Sequence, residues 1–320
     1  MKKHELEFDP IKEIARSCGF ELVGITKAEI PEVDKRNIQE WVNKKFYGGM
    51  EWFIRNTHIR NNFENLGFTP KSAIVLGCTY FTESYEKVFQ NYKLKISRYA
   101  VGEDYHGVLK KKANPILEFL KINYPNNKFR MGVDSLPIAE KVLAKKSGIG
   151  WRGKNTIIIN PEIGSYFFLA IILTNLEISY NAEEIPDRCG KCRLCLDACP
   201  TGALFEEYKI DASKCISYQT IEDRKIGDIS SNNKNRKNWI FGCDICQEVC
   251  PWNKKKLNRI RMESREPKFQ PSPIWEDSTE LEIIEMDLEK FTRLQKKSPI
   301  SRIQFEKWRE NISIFLNSNT

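Results

Sequence analysis

Apolar and polar positions along the first half of the chain switch between two periods, and each switch marks an element. Ile11, Ile14, Ala15 and Cys18 recur at helical spacing behind Asp9-Pro10, an N-cap followed by proline at the first helical position. Gly19 ends that helix, and Phe20 to Thr26 reads as a strand. Ile38, Trp41, Val42 and Phe46 form the apolar face of a second helix, closed by Gly48 and Gly49. Ala73 to Phe81 is almost continuously apolar, as a fully buried strand should be. Tyr105 to Ile122 reads as a helix broken at Pro115, Phe129 to Val133 as a short strand, and Pro137 to Gly148 as a further helix. Asn155 to Asn160 and Tyr166 to Asn175 read as two strands of a hairpin joined by Pro161-Glu162-Ile163-Gly164. This alternation predicts an α/β or α+β domain over residues 1–180. Glu183 to Asp187, polar and holding Pro186, reads as a linker, and residues 256–320 as a short helical C-terminal segment.

Between those parts, over residues 181–255, the pattern changes from apolar periodicity to cysteine spacing. Eight of the ten cysteines fall here. Cys189, Cys192, Cys195 and Cys199, followed by Pro200, have the spacing C-x2-C-x2-C-x3-C-P of a bacterial ferredoxin, whose fourth cysteine serves the other of two clusters. Cys215 follows, then Cys243, Cys246 and Cys250 with Pro251. Three thiolates two residues apart wrap one corner of a cubane, and the proline turns the chain away from it. The spacing therefore predicts a ferredoxin-like domain with two 4Fe–4S clusters. One is held by Cys189, Cys192, Cys195 and Cys250, the other by Cys199, Cys215, Cys243 and Cys246. Zinc favours two separated cysteine pairs, and disulfides need an oxidising compartment that nothing else in the chain suggests. Cys18 and Cys78, in apolar settings, read as small buried hydrophobes.

Length and charge add bounds. A chain of 320 residues with a hydrophobic fraction of 41% holds about two or three domains and can bury a full core. No apolar run follows Met1, and the longest one, Tyr166 to Leu173, is too short to span a bilayer. The expected location is the reducing cytoplasm, with no membrane association. A net charge of +8 favours a polyanionic partner. Lys234, Arg236 and Lys237 flank one side of the second cysteine group, and Lys254, Lys255, Lys256, Arg259 and Arg261 the other. Such runs read either as solvated surface or as phosphate contacts for a nucleic acid.

Three stretches of the first domain look chemical. Val133-Asp134-Ser135-Leu136-Pro137 puts a carboxylate between a strand end and a helix start, where α/β proteins place ligands, although an isolated Asp-Ser-x-Pro reads as a helix cap. Gly148 to Asn155 is rich in glycine and donors but matches neither the P-loop nor the dinucleotide fingerprint. Arg98 to His106 mixes aromatic, acidic and basic groups at a helix start, where a lone His106 reads as structural.

Taken together, RYAVGEDYH (98–106), VDSLP (133–137), GIGWRGKNT (148–156), GSYFFLAIILT (164–174), the ferredoxin run, CISYQTIE (215–222) and FGCDICQEVCPWN (241–253) closely resemble the epoxyqueuosine reductase family. The resemblance is collinear over about residues 10 to 255. It implies an oxidoreductase of queuosine synthesis, acting on tRNA that carries epoxyqueuosine at the wobble position. It implies an N-terminal domain binding cobalamin base-off, the cofactor lying between that domain and the ferredoxin-like one. It further implies an external electron donor of the flavodoxin or ferredoxin type and a chain that acts as a monomer. Asp134 matches the family's proton donor. Arg98, Lys154, Asn155, Ser165, Ser217, Thr220, Gly242, Cys243, Asp244 and Ile245 fall where the family lines the corrin and its nucleotide tail.

Two departures stand out. Ala139-Glu140-Lys141 occupies a place where the family usually carries Glu-Arg, and lysine cannot reproduce a bidentate arginine fork. Longer relatives continue into a HEAT-like region, of which residues 298–312 resemble only the beginning. A corrinoid reductive dehalogenase shares the cofactor set, and a plain two-cluster electron carrier shares the cysteines. The first commonly carries export signals, and the second needs no α/β domain of about 180 residues.

Overall fold

The computed structural model describes residues 8–63, 66–180, 183–227, 235–254, 260 and 262–318. Among them the strands are β1 (Leu22–Lys27), β2 (Ser72–Thr79), β3 (Lys95–Ile96), β4 (Phe129–Gly132), β5 (Trp151–Arg152), β6 (Ile158–Ile159), β7 (Phe167–Thr174) and β8 (Trp239–Phe241). The helices that matter most are α1 (Phe8–Ser17), α2 (Glu32–Asn43), α3 (Tyr105–Asn123), α4 (Glu140–Lys146) and α5 (Phe305–Asn317).

The main sheet has the order β1-β2-β7-β4, and every pairing in it is antiparallel. All eight residues of β2 are buried, as its unbroken apolar run requires. In register, Ile25 faces Ile74 and Ile74 faces Ile172, so β-branched residues line the middle of the sheet. Helix α3 packs on β7 and against α1, while α4 packs on β1, β2 and β7. The approach of α4 is close. A Cβ on Gly24 of β1 would sit 2.3 Å from the Ser147 carbonyl oxygen, so only glycine fits there.

The mixed α/β character matches expectation, but three local readings do not hold. The hairpin expected between residues 155–160 and 166–175 does not form. The segment before Asn160 pairs instead as β6 with β5, whereas β7 inserts between β2 and β4. The Asn160 side chain explains this, because its Oδ1 accepts from the N–H groups of Glu162 and Ile163 and closes a tight turn that redirects the chain. Pro115 does not break α3. Pro115 and Lys111, whose carbonyl loses its donor, are both exposed, while Val108, Leu109, Ala113, Ile116 and Leu120 hold the buried face. Helix α4 starts at Glu140, three residues after Pro137.

A second hydrophobic core crosses the expected segments. Tyr85, Leu94, Ile96 and Val101 from the first part meet Ile240 and Phe241 of the cysteine-rich part. Trp275, Phe291, Trp308 and Phe315 close this core from the C-terminal helices. The helices after residue 262 therefore pack as part of the body. Trp308 is 0% exposed, with its ring 5.5 Å from that of Phe291. Trp308→Ala should lower stability by about 3–5 kcal/mol, the usual effect of emptying a large aromatic site. Chemical unfolding followed by far-UV circular dichroism reads this directly, and an unchanged midpoint would show the C-terminal helices to be loosely attached.

Candidate functional site

The loop after β4 carries the first element of the site. Asp134 adopts φ 52°, a left-handed conformation that aspartate tolerates better than most residues. It does not cap α4, whose N-cap is Ala139 and lacks a side-chain cap bond. Instead the Asp134 carboxylate accepts from the Tyr105 hydroxyl at 2.9 Å, and the Asp134 N–H donates to Glu140 Oε1 at 2.9 Å. Burial, with the Asp134 carboxylate second, raises the Glu140 pKa well above the usual carboxylate range. Tyr105 is set by α3, stacked on Phe168 with centroids 4.1 Å apart and planes 5° from parallel. Its hydroxyl is held protonated by burial and by Asp134. His106 beside it is occupied by Asp104, 2.7 Å away, as a structural histidine would be. Asp134 thus stands exposed on a loop tied down at both of its polar ends.

The sheet around Asp134 is antiparallel, so its place does not follow from the parallel-sheet rule about strand ends. Asp134 is linked to a cleft through neighbours that line it, Tyr99 by way of Tyr105 and Lys141 through its charge. Tyr99, in edge contact with Tyr105 at 6.3 Å, lines a cavity of about 290 Å³ together with Lys141, Asn155 and Ser217. Cys199, Cys215, Cys243 and Cys246 line the same cavity. Four thiols far apart in sequence therefore converge on one space. The other four sort together as well. Burial pushes the Cys195 thiol up to about 11, with Cys189 and Cys250 adding to it, and Cys250 in turn feels Cys189 and Cys192. Cys246 is raised by burial, then by Cys215, and it feels Cys195 of the first group, so the two groups adjoin. Among the described residues, no three His, Cys, Asp or Glu side chains converge tightly enough to hold a single metal ion. Thiolates around a cubane stand further apart than those around one ion, and this donor set fits the larger group. Backbone N–H groups of Ser217 and Tyr218 point at the Cys215 sulfur, and that of Ile245 at Cys243. Such donors stabilise thiolates and tune a cluster's potential.

The remaining residues singled out in the sequence divide by where their side chains go. Asn155 and Ile245 line the cleft, and Asn155 Nδ2 reaches the Cys246 carbonyl at 3.4 Å. Asp244 also lines it but is 1% exposed, accepting from Ser97 Oγ at 2.6 Å and from the Arg98 N–H at 2.7 Å. The Arg98 guanidinium lies 4.0 Å from the centre of the Tyr85 ring and donates to Glu86 at 2.8 Å. Lys154, equally enclosed, donates to the Gly190 carbonyl and to Glu207. Ser165 donates to Gln247 at 2.9 Å and accepts from Asn253 at 2.9 Å. Thr220 Oγ1 accepts from the Gly242 N–H at 3.0 Å. Gly242 itself has φ 69°, and a Cβ there would meet Ser97 Cβ at 2.5 Å.

Sequence reasoning gave no role to Tyr105, Glu140 or Arg60. Tyr105 lay within the RYAVGEDYH stretch, but its bond to Asp134 spans 29 residues. Arg60 is buried over the Phe53 ring at 3.7 Å and feels both Asp134 and Glu140, with no motif to announce it. Lys141 lines the cleft as an exposed residue; the protein around its amine and the neighbouring Arg152 lower its pKa. Arg236 corrects a reading: it is buried, donates to Asn311 at 2.8 Å, and is no phosphate contact. Lys237 and Lys254 are exposed, while Lys234, Lys255, Lys256, Arg259 and Arg261 lie outside the described residues. No helix among the described residues is long and apolar enough to cross a membrane.

Comparison with known proteins agrees with this geometry. Residues 188–253 match the family described as "4Fe-4S double cluster binding domain", and residues 60–135 the one described as "Epoxyqueuosine reductase QueG, DUF1730". The epoxyqueuosine reductase of Cyclobacterium marinum is 37% identical over 96% of both chains. That of Escherichia coli is 35% identical over 96% of this chain and 80% of its own. A crystal structure of epoxyqueuosine reductase with an epoxyqueuosine-modified tRNA-Tyr stem loop superposes with a TM-score of 0.82, at 26% identity, over 97% of this chain and 80% of that one. The Bacillus subtilis enzyme, in a form whose catalytic loop is swung out of the active site, superposes with a TM-score of 0.80 at 25% identity, over 97% and 81%. The double-cluster motif, the site around Asp134 and the near full-length similarity together place this chain in the epoxyqueuosine reductase family.

Proposed function

We propose that this protein reduces epoxyqueuosine to queuosine at the wobble position of a tRNA anticodon, with two 4Fe–4S clusters and cobalamin as its cofactors. The observation that carries the reading is Asp134, tied by Tyr105 and Glu140, beside a cleft that is lined by Tyr99, Lys141 and four cysteines. The similar enzyme bound to a modified tRNA stem loop supports the substrate. The reaction removes an epoxide oxygen as water and leaves an alkene, which takes two electrons and two protons.

Cys189, Cys192, Cys195 and Cys250 would hold one cluster, and Cys199, Cys215, Cys243 and Cys246 the other. The second group lines the cleft while Arg188, Lys191 and Arg193 around the first are exposed, so electrons from an outside carrier of the flavodoxin or ferredoxin type would arrive at the first. The cleft mixes donors (Tyr99, Lys141, Asn155, Ser217) with apolar Ile157, Ile216 and Ile245, which suits a macrocycle rimmed by amides. Those residues, with the Gly242 to Ile245 backbone, would hold cobalamin base-off. Arg98, Lys154, Ser165 and Thr220 would act from behind, by fixing the walls through their internal bonds. Bound there, cobalamin supplies a strongly reducing, nucleophilic metal centre, so the hardest chemistry is the cofactor's.

The protein's own part is positional and protic. Asp134 delivers a proton to the oxygen as it leaves, Tyr105 orients the carboxyl, and Glu140 holds the loop through the Asp134 N–H. The modified nucleoside must leave its stack to reach the cleft, as in other enzymes that act on a base. The relative with its catalytic loop swung out supports a loop that moves between turnovers. The expected setting is a cytoplasmic monomer.

Two outcomes test this reading. Anaerobically prepared protein should hold about eight irons, and Cys199→Ala should damage the same cluster as Cys243→Ala. Paramagnetic resonance spectra in which Cys199→Ala instead removes the Cys189 cluster would overturn the crossed assignment. Asp134→Asn keeps the side chain's shape but has no transferable proton. It should retain both clusters and bind tRNA, yet turn over epoxyqueuosine-containing tRNA about 10²-fold or more slowly. Near-normal turnover in that variant would remove Asp134 from the chemistry.

A further inference from the structure

One exposed aromatic ring beside the site is held more firmly than a surface side chain ordinarily is. Trp52, on the short helix Glu51–Arg55, is 40% exposed. Its indole Nε1 donates to Glu222 Oε2 at 3.4 Å. Glu222 in turn accepts two bonds from Arg302, Nε and Nη2, each at 3.0 Å. The Arg302 guanidinium lies 6.0 Å from the Trp52 ring centre, and the Phe53 ring meets Trp52 edge-on at 6.0 Å. Three segments far apart in sequence thus fix one indole: the helix after α2, the CISYQTIE stretch and the turn Pro299–Arg302.

That turn also joins the ring to the site. It packs on the turn Arg98–Ala100, and the Lys297 carbonyl just before it accepts from the Asp104 N–H at 2.6 Å, next to Tyr105. The Arg302 pKa is raised first by Glu222, then by Asp134 and Tyr105, so the guanidinium lies within the field of the catalytic carboxylate. An exposed, rigid aromatic face with a cation beside it is the feature by which proteins hold unstacked bases, through stacking and backbone charge. A rigid ring also loses little freedom on binding.

We propose that Trp52 is a stacking platform for a nucleobase of the anticodon loop that flanks the modified nucleoside, with Arg302 and Glu222 holding the ring in place. The proposal rests on the tRNA reading above and adds to it the surface that keeps the loop splayed. When the wobble nucleoside turns into the cleft, its neighbour loses a stacking partner, and the indole replaces it.

The test is equilibrium binding of an epoxyqueuosine-modified anticodon stem loop, at fixed salt, to cluster-loaded protein. Trp52→Leu fills the same apolar space without an aromatic face and should weaken binding roughly 5- to 150-fold, the span that loss of one base–aromatic stack gives. Trp52→Phe keeps a face and should stay within about threefold of the wild type. Iron content and circular dichroism establish that each variant is folded and loaded. The penalty of Trp52→Leu should vanish on one of two stem loops made abasic at either neighbour of the modified nucleotide. A penalty that persists on both, or affinity unchanged in Trp52→Leu, overturns the stacking role. Wild-type protein that itself fails to retain the modified stem loop would count instead against the tRNA reading.

Discussion

The structure depends on a buried polar seam between the sheet domain and the cysteine-rich segment. Asp244 sits at its centre, almost fully buried, and burial raises its pKa despite the donors around it. A carboxylate removed from water is costly unless its lone pairs are filled. Ser97, the Arg98 N–H and Gln247 fill them, and each comes from a segment that shapes the cleft. Gln247 continues the seam to Ser165, Ser165 to Asn253, and the Asn253 Oδ1 accepts from the Ser165 N–H at 2.8 Å. Apolar packing would bring these segments together in several registers. A network in which every member has a partner permits one. The position of the cysteines relative to Asp134 is therefore set by hydrogen bonds on neither.

What the sequence made legible was what is local or spaced. The cysteine motif is legible because a cubane imposes its spacing on neighbouring thiolates, and the apolar run of β2 because burial on both faces excludes polar residues. Helix α1 followed from periodicity and a glycine stop, whereas α2 ends at Asn43, before Phe46 and the Gly48-Gly49 stop that its pattern suggested. What failed depended on contacts from outside the segment. Pro115 reads as a breaker in isolation, yet it lies on the solvent side of a helix whose opposite face is pinned. Asp134 reads as a cap because three residues later a proline could start a helix, but the chain spends the stretch to Ala139 turning, and the carboxylate finds Tyr105. Arg236 belongs to a run of cations that looks solvated or phosphate-binding. Only the fold shows Asn311 waiting for it.

The departure at Lys141 gains meaning from its surroundings. A lysine on the wall of a cleft, beside Arg152, has a lowered pKa, whereas an arginine would stay charged throughout. Its long stem leaves the donor in the same cleft without the planar fork. Glu140 next to it accepts from the Asp134 N–H and so ties the loop. One position of the pair thus retains a positional duty, while the other offers a single rotating donor to whatever fills the cleft.

The second hydrophobic core carries a consequence for how the molecule is made. Ser97 and Tyr99, which line the cleft, belong to the stretch between Leu94 and Val101, and that stretch is buried by Trp308, Ile312 and Phe315 from α5. Ribosomal synthesis delivers α5 some two hundred residues after the wall it supports. Until then the wall lacks that backing, although all eight cysteines between residues 189 and 250 have already been synthesised. The cleft is thus completed only once α5 has docked, and the nascent chain passes through a period with its thiols present and that wall still unsupported.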